Sequence, residues 1–319
     1  MFSLIEPPLF SRLRRAGRIL VAGAGGGFDV YAGLPLALAL RGLGKQVHLA
    51  NLTFSDLRRL APVNWVEPGV AAVTPDSQGR DDYFPERTLA RWLASRELPS
   101  TVYAFPKTGV RPLRAAYSAL VARLDLDAIV LVDGGNDILL RGDEEGLGTP
   151  EEDMTSLAAV AGLPGDLERL VVCLGFGVDA YHGVCHAHVL ENLAGLERDG
   201  SYLGALSIPA NSAEGAAYLD AVAHAQAATP RRPSIVNGQI AAAIRGEFGD
   251  VHITDRTGGS ELFVNPLMSL YFTVDLPGLA RSIGYLPHLE GTDRAHEVVQ
   301  VIRAHHKAAH PRPRRHIPH

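Results

Sequence analysis

The sequence predicts an α/β fold, an open and mostly parallel sheet with helices on both faces. Three observations carry that expectation. Short apolar runs alternate with segments of helical period along most of the chain. The first run, residues 19–24, enters a glycine-rich turn, Gly23-Ala-Gly-Gly-Gly27, that opens directly into an apolar helical segment. Residues 127–132 are apolar after the first position, as a strand covered on both faces requires. In such sheets ligands bind in the crevice outside the carboxyl ends of the strands.

The first strand, 19–24, leads to a helix over 30–43 that Gly44 would stop, and a second strand follows at 46–51. Residues 60–82 are rich in Pro, Gly and Asp and read as an irregular excursion or hairpin. A helix at 85–95, a strand at 101–105 and a helix at 110–124 come next; Pro112 is tolerable in that helix's first turn. The central strand 127–132 feeds a long loop, 133–150, and a helix, 151–161, with Thr149 as N-cap and Pro150 at its first position. A strand at 170–174 precedes helices at 186–199, 213–227 and 238–246. The remaining expectations are strands at 251–254 and 262–264, a strand or helix at 267–273, and a closing helix at 292–309 capped by Thr292.

The 319 residues contain no internal repeat and no clear linker, so a single domain over 1–309 is expected, with the Pro/Arg/His stretch 310–319 as a disordered tail. Apolar residues make up 46% and charged residues 20%, which suits an ordinary globular core. A net charge of −5 argues against a nucleic-acid surface. No apolar run reaches the roughly 18 residues a membrane span needs. The start of the chain lacks the layout of a signal peptide, and Cys173 and Cys185 both fall in or beside core elements. A cytoplasmic location follows as the expectation. The apolar segment 266–276 suits either a homo-oligomer contact or core burial.

Gly23, Gly25, Gly26 and Gly27 resemble a phosphate-cradling turn in the right strand–turn–helix context, although a tight turn without ligand needs the same residues. An NAD-binding version should have an acidic residue ending the second strand, and Asn51 stands there instead. Asp29, at the mouth of the turn, would repel a pyrophosphate; it suits a ligand amine or a metal ion.

The second motif is Asp133-Gly-Gly-Asn-Asp137, which closes the central strand. Asp133 and Asp137 are candidate ligands for a hard divalent cation such as Mg²⁺, or a general acid and base, with Gly134, Gly135 and Asn136 lining the ligand. The plain alternative is that Asp133 and Asn136 only tie the turn. The acids of 151–153 fit a helix start. A third cluster holds Asp179, His182, His186 and His188, in a spacing that matches no zinc signature. Asp179 and His182 are the candidates there, with His182 as proton-transfer partner. Asn237 opens a later helix as a further ligand candidate, and residues 254–259 read as a polar turn.

Gly23 to Asp29, Val132 to Asp137, the stretch 146–153 and the stretch 177–183 together resemble a family known as domain of unknown function number eleven fifty-two, over about residues 15–300. The resemblance implies a Rossmann-like α/β fold and leaves activity and catalytic residues open.

From the residues alone, the favoured reading is an enzyme that hydrolyses or transfers a group on a small polar, nucleotide- or phosphate-bearing metabolite in a carboxylate-rich crevice, with metal assistance. The alternatives are a non-catalytic small-ligand-binding protein and, less favoured because of Asn51, an NAD(P)-dependent oxidoreductase.

Overall fold

The computed structural model describes residues 5–317. Among them, α1 (Pro8–Leu13) leads into β1 (Arg18–Gly23). Two helices, α2 (Asp29–Ala32) and α3 (Leu34–Gly42), carry the chain to β2 (Gln46–Thr53). A small hairpin, β3 (Trp65–Glu67) and β4 (Val70–Val73), precedes α4 (Pro85–Ser95) and β5 (Val102–Pro106). Then come α5 (Val110–Leu124), β6 (Ala128–Asp133), α6 (Glu151–Ala161) and β7 (Glu168–Cys173). The last third contains α7 (His186–Arg198), β8 (Tyr202–Ser207), α8 (Ala213–Ala228), α9 (Ile235–Ile244), β9 (Leu270–Asp275), α10 (Leu276–Ser282) and α11 (Ala295–Ala308).

The strands form one mixed sheet in the order β3-β4-β5-β2-β1-β6-β7-β9-β8. Its middle, β5-β2-β1-β6-β7, is parallel. Both margins are antiparallel, so the parallel character is confined to the core. The β3–β4 connection is too short for a crossover and can only form a hairpin. Strand alternation divides the apolar residues between two layers. Leu20, Ala22, Ile129, Leu131 and Val171 pack with α5, α6, α7, α10 and α11. Ile19, Val21, Val130, Val132 and Val172 pack on the opposite face with α1, α2, α3, α4, α8 and α9. Each fully buried Leu, Ile or Val side chain contributes about 1.5–3 kcal/mol, and these two layers fix the register of the central strands.

Several elements differ from the sequence expectation. The helix over 30–43 is split in two at Gly33. Pro35 lacks the amide a continuous helix needs, and a Cβ on Gly33 would lie 2.6 Å from Val21 Cγ1, so this point of the helix rests directly on β1. The segments 251–254 and 262–264 form no strands; only a single bridge, Gly249 to Val264, joins this region. Segment 266–276 goes to the core alternative: a 3₁₀ turn, Pro266–Ser269, leads into β9, which lies between β7 and β8. Strand β8 and helices α1 and α10 were not foreseen. Thr292 does not cap the closing helix. That helix begins at Ala295 with Arg294 as N-cap, and the Thr292 hydroxyl donates to Leu289 O while accepting from Val110 N. Helix α6 starts one residue later than Thr149 would set it, with Pro150 at the cap position.

Residues 310–317, expected to be a loose tail, lie against the body instead. The Arg312 guanidinium meets Asp143, Glu144 and Glu191 at 2.8–2.9 Å, and Pro313 O is 2.9 Å from His188 Nε2. Its backbone pairs with residues 143–145 of the loop after β6.

Candidate active site

In chain order the parallel strands step from β1 outward to β2 and β5, then return to β6 and β7 on the other side. The reversal falls between β1 and β6, and in open α/β sheets the ligand crevice lies at such a switch point, outside the carboxyl ends of the strands. The loop after β1 and the loop after β6 face each other across it.

The glycine turn is braced from three sides. Ala24 N donates to Val132 O at 2.8 Å, tying the turn to β6. Asn51, inside β2 rather than at its end, donates from Nδ2 to Gly27 O at 2.9 Å and to Glu86 Oε1 at 2.7 Å. Asn237, in the first turn of α9, donates to Phe28 O at 3.1 Å and accepts from Tyr218 Oη at 2.8 Å. Gly26 and Gly27 take φ of 91° and 60°, the left-handed region that favours glycine. The Phe54 ring covers them: a Cβ on Gly26 would lie 2.8 Å from it. Asn51 and Asn237 therefore brace the loop with their amide donors, and Asn51 Oδ1 lies against Gly23 without a partner.

At the floor of the crevice three carboxylates converge. Asp29 begins α2, Asp133 ends β6, and Asp153 lies in the first turn of α6. One oxygen from each lies within 4.8 Å of the others. Asp133 and Asp153 are 4% and 3% exposed. Asp29 Oδ2 accepts from Gly25 N at 2.7 Å. A Cβ on Gly25 would come within 2.8 Å of both Asp29 and Asp153, so only glycine lets the turn approach these groups. Asp153 Oδ1 is buried without a hydrogen-bond partner.

Burial penalises charge on these groups, and their mutual repulsion adds to it. Desolvation pushes the Asp29 carboxyl up to about 8, with the charge of Asp137 adding to the rise. Desolvation, and then repulsion from Asp137, Asp29 and Asp179, raises Asp133 far above the usual carboxylate range. Asp153 is raised in the same way, by burial and then by Asp133, Asp137 and Asp29.

Asp137 and Asp179 stand around this triad with their oxygens already engaged. Asp137 Oδ2 accepts from Thr149 N at 2.8 Å, which folds the 137–149 loop back on itself. Asp179 Oδ2 accepts from Asn136 N at 2.8 Å, tying the loop after β7 to the loop after β6. Gly135 leaves room for that contact, and Gly134 for Asp29 Oδ1. The Asn136 side chain points to Cys173 Sγ at 3.4 Å rather than into the crevice. His182 is exposed at the rim, packed edge-on to Tyr181; burial raises the Asp137 carboxyl above the usual range, and the hydrogen bond from Thr149 N and nearby His182 offset part of that rise. His186 packs between Phe176 and Phe263.

Of the residues singled out in the sequence, the structure brings Asp29 and Asp133 together and places Asp137, Asp179 and His182 around them. It adds Asp153, which the sequence reading passed over as part of a helix start. A signal existed: after Glu151 the segment is mostly apolar or small through Ala161, as a helix buried all round requires, and the structure buries every residue from Glu152 to Val160. Lys107, just beyond β5, was also missed; its ammonium bonds Glu152 at the crevice edge.

A family model described as "Protein of unknown function (DUF1152)" matches residues 20–308, so the chain belongs to that family. No curated protein matches the chain. No described helix is long and apolar enough to cross a membrane.

Proposed function

We propose that this DUF1152 member is a divalent-cation-dependent enzyme that hydrolyses or transfers a group on a small phosphate-bearing metabolite. The reading rests on one observation: three carboxylates within 4.8 Å of one another, Asp133 and Asp153 buried and Asp29 half-buried, with one oxygen, Asp153 Oδ1, that has no partner. Buried charges without partners are costly, and a hard cation is what an all-oxygen donor set accepts. Asp29, Asp133 and Asp153 would hold it. A bound Mg²⁺ or Mn²⁺ supplies electrophilic polarisation of a phosphoryl or carbonyl oxygen and acidifies bound water.

The surrounding residues do the positioning. Gly25 N orients Asp29 from one side. Asp137 and Asp179 hold the two loops that frame the triad, and exposed His182 at the rim is the proton-transfer partner we assign to the site. The parallel order β5-β2-β1-β6-β7 is that of a doubly wound sheet, and we assign the fold to the Rossmann-like class on that basis. The same details weigh against an NAD(P) oxidoreductase. Asp29 already uses the Gly25 amide, Phe54 covers Gly26 and Gly27, and Asn51 faces inward. A cytoplasmic enzyme acting on a soluble metabolite, without nucleic acid, fits the net charge of −5.

The test is turnover of a panel of phosphate esters by metal-stripped protein with and without Mn²⁺ or Mg²⁺. Cation-dependent turnover lost in Asp133→Asn and Asp153→Asn supports the reading. Binding of cation and ester with no turnover of any ester would leave a ligand-binding protein in its place.

A further inference from the structure

We propose that the cavity beside the triad is a stacking site for an aromatic base, so that the metabolite is a nucleoside phosphate whose phosphate faces the carboxylates. The direction of the phosphate rests on the function proposed above; the base site rests on separate observations. At the carboxyl ends of β2 and β5 there is a cavity of about 380 Å³, within the size range of small-ligand sites. Phe54, Trp65, Pro106 and Lys107 line it. Phe54 is 50% exposed and Trp65 39% exposed. Single exposed apolar side chains are ordinary, but two large aromatics opening on one concavity offer π-faces for a flat ring.

Two of the cavity's walls touch the surroundings of the triad. Phe54 lies over Gly26 and Gly27, the turn whose Gly25 amide holds Asp29. The Lys107 ammonium sits 5.8 Å from the Phe54 ring centre and also bonds Glu152, the neighbour of Asp153 in α6. A cation thus stands between the aromatic surface and the carboxylates, where a base-linked phosphate would pass. Lys107 supplies charge to the phosphate, and stacking on Phe54 and Trp65 selects the base.

Tryptophan fluorescence reads this site directly. Only two tryptophans exist, and Trp92 is 3% exposed with its Nε1 bonded to Asp220, so changes in emission report Trp65. The probes are AMP, ribose 5-phosphate and inorganic phosphate, each with and without Mn²⁺. AMP should quench Trp65 and bind roughly tenfold tighter than ribose 5-phosphate, the increment of one stacked base. Phe54→Ala should remove that advantage and leave ribose 5-phosphate unchanged, Phe54→Tyr should retain it, and Lys107→Ala should weaken all three probes. Equal affinity for AMP and ribose 5-phosphate, or quenching indifferent to Phe54→Ala, overturns the base site and leaves the cation centre standing. Quenching by AMP that depends on Phe54 but not on Mn²⁺, Asp133 or Asp153 supports the base site and separates its fate from that of the cation centre.

Discussion

Glu144 and Asp153 are both buried carboxylates, and their surroundings treat that burial in opposite ways. Glu144, with no exposed surface, accepts from the amides of Arg141 and Gly142, from Asn192 Nδ2 at 2.7 Å and from the Arg312 guanidinium at 2.8 Å. Its charge is matched by a cation and its lone pairs are filled. Asp153 is nearly as buried, yet one of its oxygens has no donor, and its close neighbours Asp29 and Asp133 are also carboxylates. The first arrangement is a structural clasp that joins residues 310–317 to the loop after β6. The second is incomplete without something positive. Burial of a carboxylate does not by itself mark a functional site; the proposal rests on burial that leaves both the charge and a lone pair unanswered, whereas buried Glu86 has Asn51 and Ser55 as donors.

The contrast is breakable by mutation, and the largest effect belongs to the clasp. Glu144→Ala removes the buried one of the three carboxylate partners of the Arg312 guanidinium and four hydrogen bonds, and should cost about 3 kcal/mol in urea unfolding. A loss below about 1 kcal/mol would mean the clasp is not what holds this region. Asp153→Asn should act with the opposite sign. In chelator it relieves repulsion and should stabilise by about 1–2 kcal/mol, while abolishing stabilisation by Mn²⁺. If it destabilises as Glu144→Ala does, the two sites are alike and the contrast fails.

A pH series sharpens the same point. The Asp29 carboxyl lies near 8 in the folded chain against an ordinary value of 3.8. A raised acid favours the folded state at low pH, and that contribution is lost as pH rises through the folded value. In chelator the thermal midpoint should therefore fall between about pH 4 and pH 8. Asp29→Asn or millimolar Mn²⁺ should flatten the fall; a midpoint that rises over that range would contradict the sign. The smallest structural effect is expected at the rim. His182→Gln should leave the unfolding midpoint unchanged and lower turnover, and unchanged turnover would remove His182 from the proton path.

The sequence made the centre of this molecule readable and its margins much less so. β1 and β6 were legible because continuous apolar runs end abruptly in glycines, and those ends place Asp29 and Asp133. Asp153 was hidden because Glu151-Glu152-Asp153 also satisfies the electrostatics of a helix start, and what distinguishes it is its partners: Glu152 has Lys107, while Asp153 Oδ1 has none. The roles of Asn51 and Asn237 depend on which way each side chain turns, which loop packing decides. β8 escaped notice because Tyr202–Ser207 alternates only weakly in burial and contains Gly204. The stretch 310–317 looked disordered by composition, and its order comes from Arg312 finding Glu144, a contact 168 residues away.

The central claim is that Asp29, Asp133 and Asp153 form a cation site completed from outside the chain. Calorimetric titration of metal-stripped protein with Mn²⁺ near pH 8, for the wild-type chain and for Asp153→Asn, tests it most directly. One Mn²⁺ per chain is expected for the wild type, and at least tenfold weaker binding for a folded Asp153→Asn. A folded wild-type chain that takes up no Mn²⁺, or a variant that binds it equally well, would contradict it.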